Sequence, residues 1–221
     1  LLFGGYPELE QYEDWTEKTE YLFEIINSYL LKDILVFDGI KNSDKIFALL
    51  RLIAFQVGKE VSLQELGSQL QISKNTVEKY LDLLSKVFII FKVEGFSRNL
   101  RKEITKSSRW YFYDNGIRNG IVNNFNRLEN RTDIGDLWEN YLASERIKKQ
   151  NYQKIKTTNY FWRTYDQQEL DWLEERAETL AGFEFKWNER KKSKIPIAFS
   201  KAYPEATFEV INEQNYLDFI V

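Results

Sequence analysis

Hydrophobic positions along this chain fall first at helical spacing and later at alternate positions. From about Thr16 to Phe37, Tyr21, Ile25 and Tyr29 form one apolar stripe and Leu22, Ile26 and Leu30 the next, so the pattern predicts a helix buried on more than one side. Asp38-Gly39 ends it. A second helix is expected from a cap at Ser43, with Ile46, Leu49, Leu50, Ile53 and Ala54 inward and Gly58 as its stop.

Residues 61–86 carry the sharpest local pattern. Ser62 followed by Glu65 makes a capping box, and Leu63, Leu66 and Leu70 form the buried stripe of a short helix. Gln71-Ile72 turns the chain, Ser73 caps the next helix, and Val77, Leu81, Leu84 and Phe88 continue the stripe. Two short helices joined by a tight turn make a helix-turn-helix. Val87–Val93 and Arg109–Tyr113 then read as two strands, so residues 43–113 are expected to form a winged helix whose wing lies between the strands. Residues 123–132 are polar and read as a linker.

Beyond the linker, a helix over 134–149 turns Leu137, Trp138, Tyr141, Leu142 and Ile147 inward, with Glu139 at the border of that face. Strands are expected at 159–164, 168–174 and 180–187, a short helix from Pro196, a strand at 207–211 and a last helix near 213–220. Side chains alternate along a strand, so Phe183, Phe185 and Trp187 should share one face, with Glu184 and Lys186 on the other. By the same rule Leu170 and Trp172 point one way, and Glu169 and Asp171 the other. This sequence of elements predicts an α+β protein with a mixed sheet.

Composition narrows the chemistry. The 221 residues contain no Cys and no His, so thiol nucleophiles, cysteine zinc sites and histidine-based catalysis are all excluded within the chain. What remains is chemistry by carboxylates, Lys, Tyr or a hard cation with oxygen ligands. A net charge of −3 excludes a uniformly basic nucleic-acid binder, so any such contact needs local patches. No Met is present and the chain opens mid-pattern at Leu1-Leu2-Phe3-Gly4-Gly5, so a longer parent protein is expected. No apolar run approaches a membrane span, and a cytoplasmic location is the expectation.

Two constellations follow. On the second helix of the helix-turn-helix, Lys74, Asn75 and Lys79 suit DNA, while Glu78 and Asp82 oppose it; the wing adds Arg98, Arg101, Lys102, Lys106 and Arg109 against Glu103. DNA binding and protein contact are equal readings of this unit. In the second half, Glu139, Asp171 (or Glu169), Glu184 and Lys186 form a set suited to metal-assisted phosphodiester hydrolysis. Asp171 and Glu184 are its candidate metal ligands, Mg²⁺ its expected ion, and Lys186 the group that orients water or stabilises charge. The plain alternative is a hairpin with a charged outer face.

Glu139, Asp171 and Glu184-Phe185-Lys186, in that order on a helix and two strands, resemble the motif of the PD-(D/E)xK restriction-endonuclease-like family, although Leu170 replaces the usual Pro. Gly4-Gly5-Tyr6-Pro7-Glu8, Tyr111-Phe112-Tyr113-Asp114-Asn115-Gly116 and Gly135-Asp136-Leu137-Trp138-Glu139-Asn140 are similar to stretches in prokaryotic AAA+ family ATPases with a C-terminal domain of unknown function. The resemblance implies a helical connector over 1–40, a winged-helix domain over 41–125 and a nuclease-like domain over 126–221. It implies DNA as partner and ATP only in an N-terminal domain outside this chain, since no Walker-type glycine loop occurs. The alternative it leaves is a non-catalytic module through which the ATPase contacts a protein.

Overall fold

The structure, a computed structural model, describes residues 1–30, 43–98, 107–188 and 193–221. These form two compact units. One comprises residues 1–92 and 110–132; the other comprises residues 93–109 and 133–221. The elements in chain order are helices α1 (Trp15–Glu24), α2 (Ser43–Phe55), α3 (Leu63–Leu70) and α4 (Lys74–Lys86), strands β1 (Ile90–Gly95) and β2 (Ser108–Phe112), and helices α5 (Asn115–Val122) and α6 (Ile134–Tyr152). Strands β3 (Thr158–Arg163), β4 (Glu169–Arg176) and β5 (Thr179–Phe185), helix α7 (Ile197–Ala202), strand β6 (Thr207–Ile211) and helix α8 (Tyr216–Ile220) complete it. The strand order is β2-β1-β3-β4-β5-β6, a mixed sheet in an α+β protein.

In the first unit, α1 gives way at Ile25 to a π-helical turn that runs to Leu30. The cap expected at Ser43 rests on a side chain outside the described residues. Ser62 and Ser73 are the N-caps of α3 and α4, accepting from the amides of Glu65 at 3.3 Å and Thr76 at 3.1 Å. The turn between these helices is tight. Gln71 adopts the left-handed conformation, and a Cβ on Gly67 would lie 2.8 Å from the carbonyl oxygen of Ile72. Leu66, Leu70, Val77, Leu81 and Leu84 are buried, as are Ile46, Leu49, Leu50 and Ile53 of α2, and α3 packs on both α2 and α4. Asp114 caps α5 and also accepts the Gly5 amide at 2.7 Å. Residues 123–132 are no detached linker. Phe125 is buried and stacks on Phe3, and Arg131 reaches back to Asn119 and to the Asn124 carbonyl.

The second unit is a sheet with helices on both faces. Strands β3, β4 and β5 are antiparallel neighbours, whereas β6 joins β5 in parallel and β1 joins β3 in parallel through Glu94 and Gly95. β1 therefore serves the large sheet as well as β2, its other neighbour. One face is an apolar cluster of Trp162, Leu170, Leu173, Leu180, Phe199 and Tyr203. The other face packs α6 and α8, with Phe183 and Phe185 on Phe219. It also buries a polar network around Glu174, whose carboxylate accepts from Arg146 at 2.6 Å and from Gln150 at 2.8 Å. Arg146 and Gln150, not Ile147, are thus the inward residues in the second half of α6. Among the described residues no helix is long and apolar enough to cross a membrane.

Strict alternation fails at one place in β4. Tyr160 pairs with Leu173 and Trp162 with Leu170, so Asp171 and Trp172 together stand opposite Phe161 alone. This is a β-bulge, which bends a strand and re-aims its side chains. It lets Leu170 and Leu173 share the same core despite their odd separation, and it corrects the expected grouping of Leu170 with Trp172.

Candidate functional site

The bulge sits at the residue on which the candidate chemistry depends. Trp172 pairs with Phe183, and Asp171 and Glu184 are the next residues of the two strands at this end of the ladder. The Asp171 carboxylate leans across the ladder and accepts the Phe185 amide at 2.8 Å. Lys186 follows the end of β5, where its own amide donates to Ile211, and its ammonium donates to Glu184 at 2.6 Å. Glu139 comes from α6.

A guanidinium ties these carboxylates together. Arg109, at the start of β2, is 4% exposed, so its charge is shielded from water. Its nitrogens lie 3.0 Å from Glu169, 3.5 Å from Glu139 and 3.8 Å from Asp171. The guanidinium carbon stands 4.6 Å from the centre of the Phe161 ring, which gives the cation a favourable aromatic floor. Glu139, Asp171, Glu184 and Lys186 are therefore brought into one cluster, with Glu169 and Arg109 as further members.

Electrostatics follow from burial. Asp171 is pushed up from the usual carboxylate range by loss of solvent, which the Phe185 amide, Arg109 and Lys186 offset only in part. Glu184 is also raised, by burial first and by the Asp171 charge second, against the pull of Lys186. Burial would lower Lys186, but its hydrogen bond to Glu184 and the charges of Glu184, Asp171 and Glu139 leave it raised. A carboxylic acid raised in this way gains from losing its charge. Asp171→Asn, which keeps an oxygen for the Phe185 amide, is therefore expected to unfold at a urea midpoint no lower than wild type. A clearly lower midpoint would mean that the attraction to Arg109 outweighs the cost of the buried charge.

As folded, the carboxylates do not fit a metal ion. A Mg²⁺ ion needs oxygens at about 2.0–2.1 Å. Here Glu169, Glu139 and Asp171 are spread around the guanidinium nitrogens at 3.0–3.8 Å, and Glu184 is engaged by Lys186. Among the described residues no three acidic side chains are placed to hold a metal together.

The nucleic-acid candidates divide. Lys74, Asn75 and Lys79 are exposed at the start of α4, and Asp82 further along is paired with Lys86 at 2.7 Å. Arg98 is half exposed and pairs with Glu175 at 2.9 Å. Arg109, expected on the basic wing, is instead the buried partner of the acidic cluster. Arg101, Lys102 and Lys106 lie outside the described residues. The signal that marks Arg109 is its neighbourhood: a single cation beside Trp110-Tyr111-Phe112 in a buried strand.

Comparison with known proteins places the chain. A family model described as Domain of unknown function (DUF8612) matches residues 1–129, more than half of the sequence. The chain belongs to the DUF8612 family. A second model, Domain of unknown function (DUF4143), matches residues 134–217, so Glu139, Asp171, Glu184 and Lys186 all fall in the DUF4143-like part. The border between the matches lies beside Thr132-Asp133, where the second unit resumes after the first. An uncharacterized protein of Methanocaldococcus jannaschii is 24% identical over 219 residues, which cover 96% of this chain and 47% of that protein. An uncharacterized protein of Haemophilus influenzae is 27% identical over 138 residues, 58% of this chain and 34% of its own length. One from Mycobacterium tuberculosis is 26% identical over 137 residues, 61% and 30%. The chain thus spans about a third to a half of the length of these relatives. No solved structure matches it.

Proposed function

We propose that this chain is the C-terminal DNA-binding region of an AAA+ family ATPase, made of a winged helix and a restriction-endonuclease-like unit. The observation that carries the reading is the gathering of Glu139, Asp171, Glu184 and Lys186 from one helix and two adjacent strands. A charged hairpin face would not draw in a carboxylate from α6 or bury Asp171. Support for DNA as partner comes from the capped helix-turn-helix, with Lys74, Asn75 and Lys79 exposed on the first turns of α4. The relatives, two to three times longer than their matched parts, have room for an ATPase domain.

In the form described, the unit binds rather than cuts, because the carboxylates that would take Mg²⁺ are engaged by Arg109 and Lys186. The basic stretch 98–109 adds to α4 in this reading, through Arg98, Arg101, Lys102 and Lys106 rather than through Arg109, which is buried. Fluorescence anisotropy of the 221-residue chain on duplex DNA, across a salt series, tests this. Lys74→Ala/Lys79→Ala should weaken binding and flatten the plot of log K against log salt by about two units, roughly 0.9 for each phosphate that is no longer neutralised. Wild-type protein with no DNA affinity at low salt, or a double variant that binds as wild type does, would overturn the assignment.

A further inference from the structure

We propose that Arg109 is a resident cation that bars a divalent ion from the carboxylate cluster, so that metal enters only when the guanidinium is removed or displaced. This rests on the nuclease-like reading above and deepens it. Four carboxylates, Glu139, Glu169, Asp171 and Glu184, meet two cations, Arg109 and Lys186, in a largely buried place. Two of the carboxylates, Asp171 and Glu184, are themselves buried, so the cluster needs positive charge. Arg109 supplies it to three of the four at once.

Its position is built in three ways. β2 delivers the side chain from a strand whose next residues, Trp110, Tyr111 and Phe112, are buried. Phe161 lies under the guanidinium, and Phe161 is the residue opposite the Asp171–Trp172 bulge. The irregularity that re-aims Asp171 therefore also places it beside Arg109. A guanidinium is planar and large, and it holds oxygens apart where a small divalent ion would draw them together. The two occupants demand different arrangements of the same side chains. Lys186 does not compete in this way, since it engages Glu184 from beyond the strand end.

The test is Mn²⁺ binding by calorimetry, with thermal unfolding measured with and without Mn²⁺. Three proteins are compared: wild type, Arg109→Met, and Arg109→Gln/Glu169→Gln. The double variant removes one charge of each sign, so its cluster keeps the wild-type balance. Both variants should bind Mn²⁺ about tenfold or more tightly than wild type, a difference of about 1.4 kcal/mol or more. Mn²⁺ should raise their unfolding midpoints and leave that of wild type in place. Adding Asp171→Asn should cancel the gain. A variant that folds only with Mn²⁺ present counts in favour. Four outcomes would overturn the proposal: wild type binding as tightly as the variants, no gain in either variant, a gain that survives Asp171→Asn, or variants that fold neither with nor without Mn²⁺. None of these readouts involves DNA, so their failure is separable from failure of the α4 test.

Discussion

Arg146→Met should lower the unfolding free energy by about 3–5 kcal/mol, the usual cost of stripping one partner from a buried ion pair. Glu174 is 1% exposed, and Arg146 gives it two bonds, at 2.6 and 3.0 Å. Gln150, Trp172 and Arg176 also donate to this carboxylate, at 2.8, 3.3 and 2.5 Å. Only Arg176 among these carries charge, and its side chain is partly exposed. The loss extends past the carboxylate. Arg146 also donates to the Phe219 carbonyl and stands 4.3 Å from the centre of the Phe219 ring, so it pins α8 to the sheet. Replacing both partners, Arg146→Met/Glu174→Leu, should recover much of the loss, because no buried charge is then left alone. Urea unfolding of the two variants checks both statements.

The same carboxylate sets a pH dependence. Burial alone would raise Glu174, but the hydrogen bond and charge of Arg146, helped by Arg176, hold it below the usual glutamate range. A folded value below the unfolded one adds stability that is complete above the ordinary glutamate range and is lost as pH falls through the lowered value. Asp171 and Glu184 are raised and act in the opposite sense, favouring the fold as they take up protons. Glu174→Gln should therefore lose stability at neutral pH and show a shallower acid limb than wild type. Parallel acid limbs in the two proteins would show that Glu174 does not govern this dependence.

Phe199→Ala is the second large effect, about 3–5 kcal/mol for removing a buried aromatic ring. Phe199 is fully buried, stands edge-on to Trp162 with ring centres 5.1 Å apart, and touches Tyr203 at 5.2 Å. The cavity cannot collapse easily, because the ring also lies over Gly182, where a Cβ would come 3.6 Å from Phe199 and 2.8 Å from Leu170. Gly182 leaves the space that the ring and Leu170 fill, so Gly182→Ala should cost less than Phe199→Ala, and the end of Leu170 must shift. Urea denaturation of the two variants ranks them; equal costs would show that the backbone at Gly182 cannot adjust.

What could be read from the sequence was what local chemistry controls. The serine caps at 62 and 73, the tight turn at Gln71-Ile72 and the shared face of Phe183 and Phe185 each depend on neighbours a few residues away. Asp171, Glu184 and Lys186 stood out as charges on runs with apolar neighbours, and Glu139 as a carboxylate at the border of a buried helix face. What escaped depends on register and on partners far along the chain. Counting alternate positions cannot reveal a bulge, because the extra residue in β4 is defined only against β3. Parallel pairing of β1 with β3 and of β6 with β5 likewise leaves no local mark. Arg109 reads as one more cation of the basic wing, and nothing in the sequence marks Arg146, until Glu169 and Glu174, 60 and 28 residues away, are seen beside them.

The parallel pairing of β1 with β3 has a practical consequence for dissection. Cutting before Asp133, where the DUF4143 match invites a cut, would retain the four carboxylates but discard their arginine and the strand segment that covers one side of β3. A fragment made in this way would expose the unpaired backbone of β3 along an open edge, the kind of surface on which chains add to one another. Aggregation of that fragment would reflect the missing strand, and any affinity it gained for metal would reflect the missing guanidinium. A faithful fragment of this unit must carry residues 93–109 as well.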